Sequence, residues 1–268
     1  SKCAKFTLLN IYLIAVFSFS IINAYCEVIS VPLPAATAGL PNETLTMFWG
    51  AENPRSTLIY IPGGDGHIKL TLDRADIKNQ FYQTLKRLSD KSVSSGQLNV
   101  VIFDNPYELP PNPKGYPSTR ASEDHLSRID SVIKFYKQKT AKPLILMGHS
   151  NGAVSVTEYI RYMNANKNKN LIQGLILSSS RNGAYIDAQM NVRTIILHHK
   201  NDGCPISTAD FSEELFKSIS AFNKSRTEFK ILNTGEAEAG NPCSSGFHMY
   251  NGASDEAVKA IEAFAIKY

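Results

Sequence analysis

From residue 57 onward, short runs of aliphatic and β-branched residues alternate with longer stretches whose apolar positions recur every three or four residues. Thr57 to Ile61, Asn99 to Phe103, Leu144 to Met147, Leu171 to Leu177, Arg193 to Leu197 and Phe229 to Leu232 read as strands. Most of these runs are continuously apolar rather than alternating, the pattern of strands buried on both faces. Between them, Asp73 to Ser89 carries Ile77, Phe81, Leu85 and Leu88 at helical spacing, and Ala121 to Lys139 carries Leu126, Ile129, Ile133 and Tyr136. Ser122, followed by Glu123 and Asp124, predicts an N-cap and an acidic first turn for the second of these helices. Gly152 to Asn164, Phe211 to Phe222 and Glu256 to Phe264 are the remaining helices. Strands alternating with helices predict an α/β fold, a mainly parallel central sheet with helices on both faces. Thr44 to Trp49 is expected as an antiparallel edge strand. No repeat, low-complexity tract or linker follows residue 40, so residues 27–268 are expected to form a single domain.

Composition narrows the function classes. With 43% hydrophobic and 19% charged residues in 268, the chain has enough apolar material for a substantial core and none of the depletion typical of disorder. The formal charge is +4, with Lys2 and Lys5 as the only charges in residues 1–26. Residues 27–268 carry a small basic surplus with signs interspersed, which gives no footprint for nucleic acid or an anionic membrane.

Lys2 and Lys5 precede an apolar run from Phe6 to Ile22, with small residues at Ala24 and Cys26, and this predicts a signal peptide over residues 1–26 cleaved after Ala24 or Cys26. A retained anchor is disfavoured by the shortness of the run and by Ser18 and Ser20, and a buried helix is the remaining alternative. A lipid anchor on Cys26 is disfavoured by Tyr25 before it. The expected location is periplasmic or secreted, with no stable membrane insertion after cleavage. Cleavage after Cys26 would leave Cys204 and Cys243, an even pair suited to one disulfide in an oxidising compartment. No Cys or His spacing suggests a zinc site, and neither a metal nor a cofactor is expected.

Gly148-His149-Ser150-Asn151-Gly152 joins a strand to a helix directly. A turn this tight strains the backbone of its central residue, and side chains at either flank would clash, which accounts for the two glycines. It lifts the serine oxygen above the sheet and leaves the Asn151 N–H at the helix N-terminus, where negative charge is stabilised. A GxSxG pattern alone is weak, and its place at a strand-to-helix junction, with acid and His candidates following in the order Ser, Asp, His, sharpens it. The competing reading is a simple tight turn around a buried serine.

On these residues the chain resembles the α/β-hydrolase superfamily over about residues 44 to 268. The resemblance implies a triad: Ser150 as nucleophile, His248 in the loop before the last helix as base, and Asp202, just after Leu197-His198-His199, as the acid. His149 and His125 are expected to be structural. At most one of His198 and His199 would face the site, and His67 lies in the loop after Pro62. The ordinary reading of Asp202 is a turn residue before Gly203. Pro62-Gly63-Gly64-Asp65-Gly66 looks like the family's His-Gly-Gly oxyanion loop, with Pro62 in the His position. Gly64 is the expected second donor beside Asn151, with Asp65 the alternative one residue away, its carboxylate pointing outward; a plain flexible turn is the competing reading.

Cys204 lies two residues after Asp202 and Cys243 five before His248, so a bridge between them would tether the acid loop to the base loop. Loop entropy puts its contribution at roughly 3 to 4 kcal/mol. Two unpaired buried thiols are the competing reading. The segment from Ser178 to Val192 is too short for a large lid, so an open site is expected, rimmed by Tyr107, Tyr116, Arg181, Phe247 and Tyr250, and suited to small or extended ester substrates. An amide substrate, or a catalytically silent fold used for binding, are the alternatives.

Overall fold

The computed structural model describes residues 25–34, 37–73, 79–110, 118–186, 189–236 and 239–268. The expected export signal falls almost wholly on residues 1–24, outside the described residues, as does Tyr116 of the expected rim. Among the described residues, no helix is long and apolar enough to cross a membrane.

Eight strands form one sheet: β1 (Tyr25–Pro32), β2 (Glu43–Gly50), β3 (Ser56–Ile61), β4 (Leu98–Phe103), β5 (Leu144–His149), β6 (Ile172–Ser178), β7 (Arg193–His199) and β8 (Thr227–Leu232). Their order is β1-β2-β4-β3-β5-β6-β7-β8. β1 and β2 run antiparallel, and every pairing from β4 to β8 is parallel. The continuous apolar runs have the cause anticipated for them. In β5, Leu144 and Leu146 enter the core on one face while Ile145 and Met147 enter the core on the other. The first face is covered by α2 (Glu123–Thr140), α3 (Asn151–Ala165) and α4 (Ala209–Phe222), the second by α1 (Gln80–Lys86) and α5 (Ser254–Ala265). Ser122 caps α2, its hydroxyl accepting from the His125 N–H, and Glu123 and Asp124 occupy the first turn.

Two expectations shift. The strand expected at Thr44 to Trp49 is antiparallel but not at the edge, because β1 pairs outside it along its whole length, from Tyr25 opposite Gly50 to Pro32 opposite Glu43. The helix expected from Asp73 starts later: Asp73 lies in a turn, and the Asn79 side chain accepts from the N–H groups of Phe81 and Tyr82 to cap α1. Ile77, counted on that helix, lies outside the described residues.

Candidate active site

The carboxyl ends of β3, β5, β6 and β7 meet around Ser150. Between the last residue of β5 and the first of α3, Ser150 takes φ 54° and ψ −121°, a left-handed conformation that costs a residue with a side chain of order 1–3 kcal/mol. Close packing around the turn enforces the flanking glycines. A Cβ on Gly148 would lie 2.2 Å from the Gly152 carbonyl oxygen, and one on Gly152 would lie 2.0 Å from that of Ile61. The Ser150 N–H donates to the Ser178 carbonyl at 2.9 Å, which ties the turn to β6.

Asp202 and His248 meet on the far side of β6. His248, in a short 3-10 turn at Gly246–Met249, donates from Nδ1 to Asp202 Oδ2 at 2.8 Å, and the other carboxylate oxygen accepts from the Cys204 N–H at 2.9 Å. His198 Nε2 lies 3.0 Å from the same Oδ2 in a contact not aligned as a hydrogen bond, and its Nδ1 meets the Ser212 hydroxyl at 2.7 Å. Burial alone would raise the Asp202 carboxyl, but the contacts with His198 and His248 and the Cys204 N–H outweigh it and hold the group down at about 2. It is therefore ionised across the physiological range. With the His248 proton on Nδ1, its Nε2 is the basic nitrogen. That atom is buried and has no hydrogen-bond partner, so its bond to the Ser150 hydroxyl is not made in this structure. The His248 ring packs 5.1 Å, centroid to centroid, from the ring of His149 next to the serine.

Cys204 and Cys243 form the disulfide expected between these loops, across a sequence separation of 39. None of the described cysteines is free.

The other histidines have partners that explain them. His149 donates from Nδ1 to the Ser178 hydroxyl at 3.0 Å, Ser178 donates to the Tyr250 hydroxyl at 2.7 Å, and Tyr250 donates to the Leu197 carbonyl at 3.1 Å. Burial holds the His149 imidazole well below its usual range, which keeps it neutral. His199 stacks on Phe247 at 3.7 Å and donates from Nε2 to the Thr234 carbonyl. His67 donates to the Asn105 carbonyl at 2.7 Å, beside Asp104. His125 is buried on α2 between Asn105 and Ser155. Phe247 and Tyr250, expected on an open rim, are buried. The reason is local: the stack on His199 and the Tyr250 bonds hold both rings inward, beneath the triad candidates.

The loop after β3 approaches the serine at Gly63. A Cβ there would lie 3.0 Å from Ser150 Cβ, 3.6 Å from its hydroxyl oxygen and 3.0 Å from the His149 carbonyl oxygen. Gly64 follows with φ +57°, and its carbonyl accepts from the Asn151 side chain at 2.9 Å. The Asp65 carboxylate is exposed and turns back on its own loop to accept from the His67 N–H. The sequence pattern singles out neither Gly63 nor Arg120, whose guanidinium underlies this loop. Glycine at the point of closest approach is a usable signal for the first; nothing near Arg120 in the chain marks it.

Buried side-chain polar atoms without a partner are uncommon in folded proteins. Here the described examples are His149 Nε2, Ser179 Oγ, Ser180 Oγ, His198 Nε2 and His248 Nε2. All of them belong to residues at or just beyond the carboxyl ends of β5, β6 and β7 or to the His248 turn, and His198 Nε2 among them still lies 3.0 Å from Asp202 Oδ2. Among the described residues no group of three or more His, Cys, Asp or Glu side chains is placed to hold a metal ion.

No protein-family profile matches the sequence, and no curated protein matches it. Solved structures match in shape. A dienelactone hydrolase from Anabaena variabilis superposes with TM-score 0.56 at 10% identity, covering 91% of this chain and 98% of its own. A serine hydrolase without a lid from Xanthomonas campestris gives 0.54 at 12%, covering 89% and 92%. A hyperthermophilic esterase from the archaeon Pyrobaculum calidifontis gives 0.59 at 13%, covering 90% and 85%. At these identities the likeness establishes architecture, and the chain has the α/β-hydrolase fold.

Proposed function

We propose that this chain is a serine hydrolase that cleaves carboxylic esters, with Ser150 as nucleophile, His248 as base and Asp202 as its orienting acid. The reading is carried by one juxtaposition. A strained serine stands at a helix N-terminus, on the same sheet edge as an imidazole anchored through Nδ1 to a buried carboxylate and left open at Nε2. Strain and an orphaned buried nitrogen both cost stability, and catalysis is a function that repays both.

In the proposed reaction, His248 Nε2 takes the Ser150 proton as the hydroxyl oxygen attacks the ester carbonyl. The charge that develops on the carbonyl oxygen is met by the Asn151 N–H and by an N–H of the loop after β3, from Gly64 or its neighbour Asp65. Collapse of the tetrahedral species breaks the bond to the alkoxy oxygen, which leaves as the alcohol with the proton from His248. Water then attacks the acyl-enzyme, giving up a proton to His248. The second collapse releases the carboxylic acid and returns that proton to Ser150. Asp202 stays ionised throughout and stabilises the imidazolium.

The fold of the serine hydrolase and esterases it resembles supports this reaction class, and so does the short connection between β6 and β7. Residues 179–192 contain no helix among the described residues, which favours small or extended esters over long lipid chains in a covered slot. The Cys204–Cys243 disulfide supports an exported protein in an oxidising compartment.

The test is labelling by a fluorophosphonate with turnover of short 4-nitrophenyl esters. Both are expected in the native chain, with the label on Ser150, and Ser150→Ala is expected to lose about 10⁵-fold or more in kcat. Absence of both labelling and turnover would leave a fold used for binding. Turnover of amides in preference to esters would move the substrate class.

A further inference from the structure

The guanidinium of Arg120 is buried beneath the loop after β3, with the residue only 2% exposed. One nitrogen donates to the Pro62 carbonyl at 3.1 Å and to the Ser155 hydroxyl at 3.0 Å; the other donates to the carbonyls of Gly63 at 3.3 Å and Gly64 at 2.7 Å. Three successive carbonyls of the loop thus turn toward one cation. In a trans peptide the N–H points opposite the carbonyl of the same unit. The N–H groups of Gly63, Gly64 and Asp65 therefore face away from Arg120, and no described group accepts from them.

Behind the cation the network closes without ambiguity. Arg120 can only donate, so the Ser155 hydroxyl accepts from it. The Asn105 side-chain NH₂ donates to the Tyr107 carbonyl, which leaves its Oδ1 to accept from His125 Nδ1 at 2.9 Å, and the neutral ring then takes the Ser155 proton at Nε2, 2.8 Å away. Burial, followed by the charge of Arg120, holds His125 well below its usual range, in agreement with a neutral ring.

The cation makes no direct ion pair. No carboxylate among the described residues lies within ion-pair distance of it. Burial pulls its ionisation down to about 10, so it keeps its charge at neutral pH. A buried charge is ordinarily paired, because desolvation is expensive. Carbonyl dipoles, with the exposed Asp65 carboxylate acting at longer range, compensate this one only in part.

We infer that Arg120 is the positioning residue of the oxyanion site: its buried guanidinium grips the carbonyls of Pro62, Gly63 and Gly64 so that the N–H groups on the far side are aimed and polarised toward the substrate oxygen. The inference rests on Ser150 being the nucleophile. On this view the cation is best compensated when negative charge develops on that oxygen, so Arg120 acts on the transition state and hardly on the bound ester. Lysine keeps the charge but cannot span three carbonyls from a single nitrogen.

The experiment compares the native chain with Arg120→Lys. It measures turnover of 4-nitrophenyl butyrate, affinity for an alkyl boronic acid that forms an anionic tetrahedral adduct with serine, and melting temperature. Arg120→Lys is expected to lower kcat about 10²-fold with KM held within about threefold, and to weaken the boronate by a factor close to the loss in kcat/KM. A folded Arg120→Lys with kcat within about threefold of native overturns the inference, as does a loss of kcat with boronate affinity unchanged. Should that variant not fold, Ser155→Ala removes one anchor of the guanidinium and is expected to lower kcat about fivefold at unchanged KM; unaltered kcat there also overturns it. A native chain that neither turns over the ester nor binds the boronate sinks the hydrolase reading itself, which is a distinct result from a native chain that does both while Arg120→Lys matches it.

Discussion

Two loops converge on Ser150 from opposite sides, and they are held by different physics. On the side proposed for acid–base chemistry, Asp202 and His248 are joined by a charge-assisted hydrogen bond, flanked by His198 and braced by a disulfide. On the side proposed to hold the oxyanion, a glycine-rich backbone is held by carbonyl bonds to a single buried guanidinium. The first arrangement is built from groups that titrate and from a bond that can be reduced. The second involves no titration at neutral pH and depends on backbone position and on a charge that stays fixed there. One side is therefore expected to respond to pH and redox conditions, and the other only to changes of shape.

The largest predicted effect in this comparison comes from Asp202→Asn. An amide that presents its NH₂ to His248 Nδ1 forces the proton onto Nε2, the atom proposed to accept from Ser150, and kcat is expected to fall about 10⁴-fold. The same variant tests the electrostatics. The carboxyl sits at about 2 in the fold against an ordinary 3.8. A lowered native value stabilises the protein above the ordinary value, and that stabilisation is lost as pH falls toward 2. Denaturant unfolding between pH 5 and 2 is thus expected to show a slope worth about 2 kcal/mol that Asp202→Asn lacks. An identical slope in both proteins would mean that Asp202 is not the group holding that charge.

Gly63→Ala is the matching test on the other side. Its methyl would press on Ser150 Cβ and the His149 carbonyl, both at 3.0 Å, so the loop must retreat by a few tenths of an ångström. Oxyanion donors lose most of their effect over such distances, and kcat is expected to drop about 10- to 100-fold. The pH dependence of unfolding should stay that of the native chain. A change in that dependence would show that the two sides are coupled after all.

These unequal sides are also unequally legible in the sequence. Ser150, Asp202 and His248 follow the order in which parallel strands deliver their ends to one sheet edge, and each stands beside a strand or helix whose apolar pattern is strong. Arg120 has no such marker, because the carbonyls it holds belong to residues 62–64, far earlier in the chain, and a carbonyl carries no side-chain identity. The same distinction explains the fold. Runs such as Leu144 to Met147, apolar on both faces, announce themselves. β1 is partly exposed along most of its length, and it follows the apolar N-terminal run so closely that its first residues read as part of that segment. Phe247 and Tyr250 read as rim residues because aromatic side chains near a base suggest a substrate wall; only the stack on His199 and the bond to the Leu197 carbonyl reveal them as support.

The smallest predicted effect concerns the bridge. Replacing Cys204 and Cys243 together by alanine removes the crosslink over its 39-residue separation and is expected to cost roughly 3 to 4 kcal/mol of stability. The hydrogen bond between Asp202 and His248 does not run through the bridge and is expected to persist without it, so the loss in kcat should be limited to about 3- to 10-fold, with KM unchanged. If the two sides of Ser150 act independently, this loss multiplies with that of Arg120→Lys, and the combined variant's ΔΔG‡ equals the sum of the two to within about 0.5 kcal/mol. A shortfall beyond that margin would place both sides in one cooperative unit. A double-cysteine variant with native kcat and lowered stability would confine the bridge to holding the chain together, and His248 would owe its position to the buried packing of Phe247 and Tyr250 instead.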